Sequence, residues 1–138
     1  QLSNCAVKVT KVGCYNDDLY TPRPLTNLVL TDRDLNSPLS DGHMFDWEKP
    51  AQSMKDLACR CAKKVIKMGY SHFSLQYFGE CWSGKNAAST YADDGPSRTC
   101  VGAGFKPCDS GPETPCTGVG RSNFVYTATE KPALPTTP

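Results

Sequence analysis

The sequence predicts a small disulfide-rich α+β domain, with one main helix packed on an antiparallel sheet and long loops between the elements. Three observations carry this prediction: one amphipathic helical segment, several short strand-like segments, and eight cysteines in 138 residues. With 38% hydrophobic residues and 11 each of Gly and Pro, the core is expected to be modest. Disulfides are therefore expected to supply part of the stability.

The first third of the chain predicts one strand followed by a long ordered loop. Residues 6–15 are β-branched and alternate apolar with polar, which indicates a strand running into Gly13-Cys14-Tyr15. Residues 16–49 are rich in Asp, Asn and Pro, and only residues 28–30 look like a short strand. Four side chains are expected to pack inward and hold this loop: Tyr20, Leu25, Phe45 and Trp47.

Residues 50–68 predict the main helix. Pro50 suits the first helical position, and Gly69 suits the end of a helix. Apolar residues recur at helical spacing and form one stripe: Met54, Leu57, Ala58, Cys61, Ala62, Val65 and Ile66. Lys63, Lys64 and Lys67 lie on the other face, which is interpreted as a solvated surface.

The second half predicts two further strands. In residues 72–78, Phe73, Leu75 and Tyr77 are expected to share one face. Residues 79–84 are expected to turn the chain, residues 85–121 to be mostly loop, and residues 123–127 to form a last strand. Residues 1–127 are thus expected to form a single domain, and residues 128–138 a Thr/Pro-rich tail or linker.

The cysteines favour disulfides over zinc. No C-x2-C pair occurs, and His43 and His72 stand apart from the cysteines and from each other. A disulfide framework implies an oxidising compartment, so we expect a secreted, extracellular protein. The start at Gln1, without Met, fits a removed signal peptide, and no apolar stretch approaches the ~20 residues that span a membrane. A net charge of +1 argues against nucleic-acid partners.

A longer motif is distinctive. The run from Gly69 to Gly84 reads GYSHFSLQYFGECWSG, and it is preceded by Cys61-Ala62 and, further back, by Gly13-Cys14-Tyr15. Together with Val125-Tyr126, this pattern resembles the WSC domain, a small cysteine-rich extracellular module, and more distantly the PAN/apple domains. The chain departs from the WSC pattern at Ser83, where that pattern has a second cysteine. It also carries an apparent insertion that contains Cys108 and Cys116.

The resemblance, taken with simple geometry, implies a disulfide connectivity among 105 formal possibilities. In a WSC-like framework, Cys61 would bond Cys81 and Cys14 would bond Cys100. The remaining cysteines look additional, and they would pair as Cys108 with Cys116 and Cys5 with Cys59. Cys59 and Cys61 are about 200° apart around the helix, which disfavours a bond between those two.

The resemblance also implies a carbohydrate-binding role, since WSC-like modules are commonly regarded as glycan-binding. Sugars are bound by an aromatic face with planar polar groups around it. The candidate ligand-binding residues lie just after the central strand: Trp82, Lys85, Asn86, Tyr91 and Asp93. The alternative for Trp82 is packing beside the Cys61–Cys81 bridge. Glu80 is expected to accept hydrogen bonds from loop amides.

No residue pattern indicates catalysis or a resident cofactor. The histidines show no sign of a nucleophile partner, so an enzyme is not expected. Calcium is possible, because Asp17-Asp18 and Asp93-Asp94 offer oxygen ligands, although these pairs are more simply turn formers.

Three hypotheses therefore remain open. The chain is a secreted glycan-binding module, a structural or protein-interaction module of an extracellular matrix, adhesive or biomineral, or a toxin or protease inhibitor. In the last case, Phe105, Lys106 and Pro107 would form an exposed reactive tip.

Overall fold

In the computed structural model, one long helix lies across a five-stranded antiparallel sheet. The structure describes residues 1–108 and 111–131. The elements in chain order are β1 (Lys8–Asn16), β2 (Asn27–Thr31), α1 (Pro50–Lys67), β3 (His72–Gln76), β4 (Glu80–Ser83), α2 (Ala87–Thr90), a 3-10 turn (Ala103–Phe105) and β5 (Ser122–Thr129). The strands lie in the order β1-β5-β3-β4-β2. The α+β prediction is confirmed.

Helix α1 begins and ends close to where its sequence predicts. Pro50 occupies the first turn, and Gly69 follows the C-cap residue Met68 with a φ of 82°, a conformation that glycine adopts readily. Six residues of the predicted apolar stripe are buried, whereas Ile66 is only partly buried. Each fully buried large apolar side chain contributes about 1.5–3 kcal/mol, so this stripe attaches the helix to the sheet.

The two faces of the sheet are distinct. Cys81 on β4 is bonded to Cys61 on α1, and Leu75 lies directly opposite Cys81, so these strand residues face the helix. Ser74 and Trp82, which also lie opposite each other, point to the other face because neighbouring strand residues alternate. Trp82 therefore does not pack beside the Cys61–Cys81 bridge. The loop before β2 crosses this second face and positions the residues described below.

Four disulfides link the elements, and they match the expected pairs. Cys5–Cys59 and Cys61–Cys81 fix both sides of α1, to the N-terminal segment and to β4. Cys14–Cys100 ties β1 to the loop after α2, and Cys108–Cys116 closes the inserted loop on itself. No cysteine is free.

Several expectations about local structure were wrong. Strand β3 ends at Gln76, so Tyr77 does not share a strand face with Phe73 and Leu75. The segment expected to turn the chain is strand β4, because Cys81 and Trp82 pair with both β3 and β2. The last strand spans Ser122–Thr129 and is longer than the strand expected at residues 123–127, and residues 132–138 of the expected tail lie outside the described residues.

The long loop also departs from expectation. Leu25 and Phe45 are buried as predicted, but Tyr20 is 76% exposed and Trp47 is 52% exposed. Backbone hydrogen bonds hold the loop instead. The amide N–H of Asp32 donates to the carbonyl of Gly79 at 2.7 Å, and the N–H of Phe45 donates to the carbonyl of Asp32 at 2.9 Å.

Candidate ligand-binding surface

The turn between β3 and β4 places two aromatic residues in an uncommon backbone conformation. Tyr77 and Phe78 have φ values of 55° and 57°, in the left-handed region that Asn and Gly adopt more readily. The amide N–H of Tyr77 donates to the carbonyl of Gly118 at 2.9 Å, which ties the turn to the loop before β5. Tyr77 is 48% exposed at this end of the sheet.

An open groove of about 410 Å³ lies beside this turn, on the sheet face away from α1. We call it the hairpin groove. Its walls combine aromatic, aliphatic and planar polar side chains: Leu19, Arg23, Gln76, Tyr77, Glu80, Trp82, Gly120 and Arg121.

A buried polar network fixes Arg23 at the groove. The Arg23 guanidinium donates to Asp17 Oδ2 at 2.7 Å and to Gln76 Oε1 at 3.0 Å, and the Gln76 amide donates to the same Asp17 oxygen at 3.3 Å. Asp17 is only 1% exposed, so its charge is compensated within this network. The Arg23 guanidinium carbon lies 3.9 Å from the Trp82 ring centroid, in a cation–π arrangement.

Trp82 is held at the edge of its ring as well as at its face. Its indole N–H donates to Glu80 Oε1 at 3.1 Å. Glu80 is thus an acceptor, but for a side chain rather than for the loop amides that were expected. With its ring under Arg23 and its N–H bonded, the half-buried Trp82 is held rigidly as part of the groove wall.

A group of packed aromatic rings adjoins the groove across the turn. We call it the aromatic cluster, and it consists of Phe45, Trp47, Phe78 and Phe105. Trp47 lies 4.7 Å from Phe45, 5.5 Å from Phe78 and 6.3 Å from Phe105 between ring centroids. Phe45 is buried, whereas Trp47 and Phe105 are 52% and 45% exposed.

Arg33 joins the aromatic cluster to the groove. Its guanidinium carbon lies 4.2 Å from the Tyr77 ring centroid and 5.5 Å from that of Trp47. Gly79 makes this close approach possible, since a Cβ at that position would lie 2.9 Å from Arg33 Cγ. Arg33 therefore lies between the Tyr77 ring of the groove and the Trp47 ring of the aromatic cluster.

The structure distributes the five predicted ligand-binding residues over separate places. Trp82 lines the hairpin groove, whereas Asn86 and Asp93 line a small cavity of about 150 Å³ that Arg23 also borders. Lys85 is exposed. Tyr91 packs against Tyr15 and His72, with ring centroids 5.1 and 5.3 Å apart. Burial and the neighbouring Tyr91 raise the pKa of Tyr15.

The expected calcium ligands are partly brought together. Carboxylate oxygens of Asp17, Asp18 and Asp94 lie within 4.8 Å of one another. However, Asp17 is ion-paired with Arg23, and Asp94 Oδ2 accepts the backbone N–H of Asp18 at 3.0 Å. Asp93 and Asp94 belong to a turn, in which the N–H of Gly95 donates to the carbonyl of Ala92. The geometry of these carboxylates is explained by hydrogen bonds within the protein.

The two histidines lie in different surroundings. Partial burial lowers the pKa of His72, whose Nδ1 lies 2.8 Å from Ser71 Oγ and whose ring stacks on Tyr91. His43 is exposed and forms a pair with Asp41 at 3.0 Å.

Arg23, Gln76 and Tyr77 were not predicted from the sequence as groove residues. Their residue types suit a sugar site, but Arg23 lies 53 residues before its partner Gln76, so no local pattern indicates that they meet.

Fold and surface together define a small disulfide-rich α+β domain with an aromatic and arginine-lined groove. No family model, no curated protein and no solved structure matches this chain. Within the described residues, none of the helices combines the length and hydropathy of a membrane span.

Proposed function

We propose that this chain is a secreted, non-enzymatic carbohydrate-binding module, and that the hairpin groove is its sugar site. The observation that carries the proposal is the composition of the groove, where Tyr77 and Trp82 stand among the planar polar side chains of Arg23, Glu80 and Arg121. Four disulfides are consistent with the oxidising compartment that secretion requires. The resemblance to WSC-like modules supports the same role.

The groove offers the two kinds of contact that sugars need. An exposed aromatic ring gives the apolar face of a pyranose a surface on which to pack, and Tyr77 supplies one. Carboxylate and guanidinium groups provide acceptors and donors for hydroxyl groups, and Glu80 and Arg121 supply these. Because Arg23 and Trp82 are already held in place, sugar binding would require little ordering of the protein.

The aromatic cluster favours a second candidate, a protein-interaction or structural module of an extracellular matrix, adhesive or biomineral. Trp47 and Phe105 form an exposed apolar surface beside Arg33, and Trp and Arg are common at protein interfaces. The same cluster weakens the toxin or inhibitor hypothesis. Phe105, the first residue of its proposed tip, packs against Phe78 at 5.7 Å rather than projecting freely.

A glycan array probed with the intact, oxidised chain tests the first proposal. We expect binding to at least one oligosaccharide class, and we expect Tyr77→Ala and Arg121→Ala each to weaken it by about tenfold, the effect of losing roughly 1.4 kcal/mol. Trp47→Ala is the matched control, since it removes an exposed aromatic ring outside the groove and is expected to retain binding.

Three results would reject the groove as the sugar site. They are the absence of any glycan bound by the wild-type chain, normal binding by both groove variants, and a loss confined to Trp47→Ala. The last result would instead assign ligand binding to the aromatic cluster. Circular dichroism and the mass of the oxidised chain establish that each variant retains its fold and its disulfides.

A further inference from the structure

The exposed side of α1 carries a concentrated positive charge. The helix contains five basic residues and one acidic residue, whereas the whole chain has a net charge of only +1. The negative charge of the protein must therefore lie mostly elsewhere. Charge is segregated on this molecule although its total is close to neutral.

Three lysines on this side lie together on one face of the helix. Lys63, Lys64 and Lys67 follow Arg60 at the spacing i+3, i+4 and i+7, which places all four on one helical face. One helical turn separates Lys63 from Lys67, a rise of about 6 Å. We call Lys63, Lys64 and Lys67 the lysine stripe.

The lysine stripe is exposed and has no ion-pair partner in the described part of the chain. Lys63, Lys64 and Lys67 are all exposed, and none of the ion pairs within residues 1–108 and 111–131 includes them. Arg60 differs, because its guanidinium pairs with Asp32 and, at 2.8 Å, with Asp41. Three uncompensated positive charges are thus available to a ligand.

We propose that the lysine stripe binds a linear sulfated polysaccharide. A row of flexible point charges on a convex helix suits a polyanion whose sulfates repeat along a chain, because binding releases counterions without needing a shaped pocket. This surface is separate from the hairpin groove, so the inference does not depend on the proposed sugar site there.

Other polyanionic partners fit less well. Protein interfaces are depleted in lysine, which disfavours an acidic protein. A helix that lies in a membrane surface exposes an apolar face to the lipid, but here Leu57, Cys61 and Val65 of that face are buried against the sheet. Nucleic acid is disfavoured by the oxidising compartment that the four disulfides indicate.

Affinity for immobilised heparin, measured by surface plasmon resonance on the oxidised chain, tests the proposal. A lysine near an anionic surface contributes about a fivefold gain in binding. The variant with Lys63→Gln, Lys64→Gln and Lys67→Gln is therefore expected to bind heparin about 100-fold more weakly. Its affinity is also expected to lose most of its dependence on salt concentration.

Two further variants make the result specific. Lys49→Gln, Lys106→Gln and Lys131→Gln together remove the same charge from exposed positions outside the stripe, and this variant is expected to bind as the wild type does. Arginine at the three stripe positions keeps the charge and is expected to preserve binding. Tyr77→Ala, which alters the hairpin groove, is expected to leave heparin binding unchanged.

The remaining outcomes overturn the proposal. Failure of the wild-type chain to bind heparin does so, as does an equal loss in both glutamine variants, which would show that net charge alone decides binding. Stronger binding to phosphatidylserine-containing vesicles or to single-stranded DNA than to heparin would assign the lysine stripe to a different class of partner.

Discussion

The hydroxyl group of Tyr126 offers a clean test of how β5 is joined to the inserted loop. Tyr126 is completely buried, and its hydroxyl accepts the backbone N–H of Cys116 at 2.8 Å and donates to the carbonyl of the same residue. The ring stacks on Phe73, with centroids 5.2 Å apart. Tyr126→Phe keeps this stacking and removes only the two hydrogen bonds.

The expected cost follows from the groups left without partners. Each buried polar group that loses its hydrogen bond costs about 1–3 kcal/mol, and phenylalanine fills the same space as the tyrosine ring. Two such groups of Cys116 lose their partner, so we expect Tyr126→Phe to lower the free energy of unfolding by about 2–6 kcal/mol. For a domain of this size that corresponds to a Tm lower by roughly 6–20 °C.

Denaturant unfolding with the disulfides intact measures this difference. Tyr20→Phe is the matched control, because Tyr20 is 76% exposed and its substitution is expected to change stability by less than about 0.5 kcal/mol. A loss below about 1 kcal/mol for Tyr126→Phe, or one no larger than that of the control, would refute the reasoning.

The stabilities of the wild type and of Tyr126→Phe are expected to respond differently to alkaline pH. Burial raises the pKa of Tyr126 above its usual value, and the hydrogen bonds with the Cys116 backbone offset only part of this effect. Above a pH of about 10 the unfolded chain ionises at this tyrosine while the folded chain does not, so wild-type stability falls as pH rises. Tyr126→Phe lacks this contribution, and the stability gap between the two proteins should therefore narrow. A stability gap that stays constant across this alkaline pH range would contradict the raised pKa of Tyr126.

Two further predictions concern single positions. Gly118→Ala is expected to destabilise the fold by at least about 3 kcal/mol, because its Cβ would lie 1.8 Å from the carbonyl oxygen of Ser122. Gly120→Ala is the matched control, because the nearest atom to its Cβ would be Tyr77 Cδ1 at an ordinary 3.9 Å; similar thermal unfolding of the two variants would count against this prediction. Partial burial lowers the pKa of His72, so protonation favours the unfolded chain, and stability should fall as pH drops below about 6.5. His72→Phe keeps a ring against Tyr91 but cannot be protonated, and its stability should fall less between neutral and mildly acidic pH; parallel pH profiles would exclude this role.

The parts of the fold that were predictable depend on local signals. The helical spacing of apolar residues located α1 to within a residue at its end, because the buried stripe of a surface helix repeats every 3.6 residues. The position of Cys61 on that stripe agreed with its bond to the sheet at Cys81. These inferences needed only short stretches of sequence and the resemblance that ordered the cysteines.

The candidate site was less predictable because it is assembled by tertiary contacts. Asp17 and Arg23 lie in a loop whose composition indicates turns, and nothing local shows that they converge on Gln76. Strand β4 was missed for a similar reason. It has only four residues, and its glycine-flanked sequence is also typical of a turn until β2 and β3 pair on both sides of it.

At Tyr77 and Phe78 the local signal and the tertiary structure disagree. Alternating polarity predicted that the strand would continue through it, and an Asn-Gly pair would form the same turn with less strain. The backbone instead adopts the left-handed conformation with two aromatic residues, at a cost of about 1–3 kcal/mol each. The consequence is geometric: the Tyr77 ring lines the groove while the Phe78 ring packs 5.5 Å from Trp47 in the aromatic cluster. Arg33 lies between the two rings, 4.2 Å from the Tyr77 centroid and 5.5 Å from that of Trp47, so this one turn sets the boundary between the groove and the aromatic cluster.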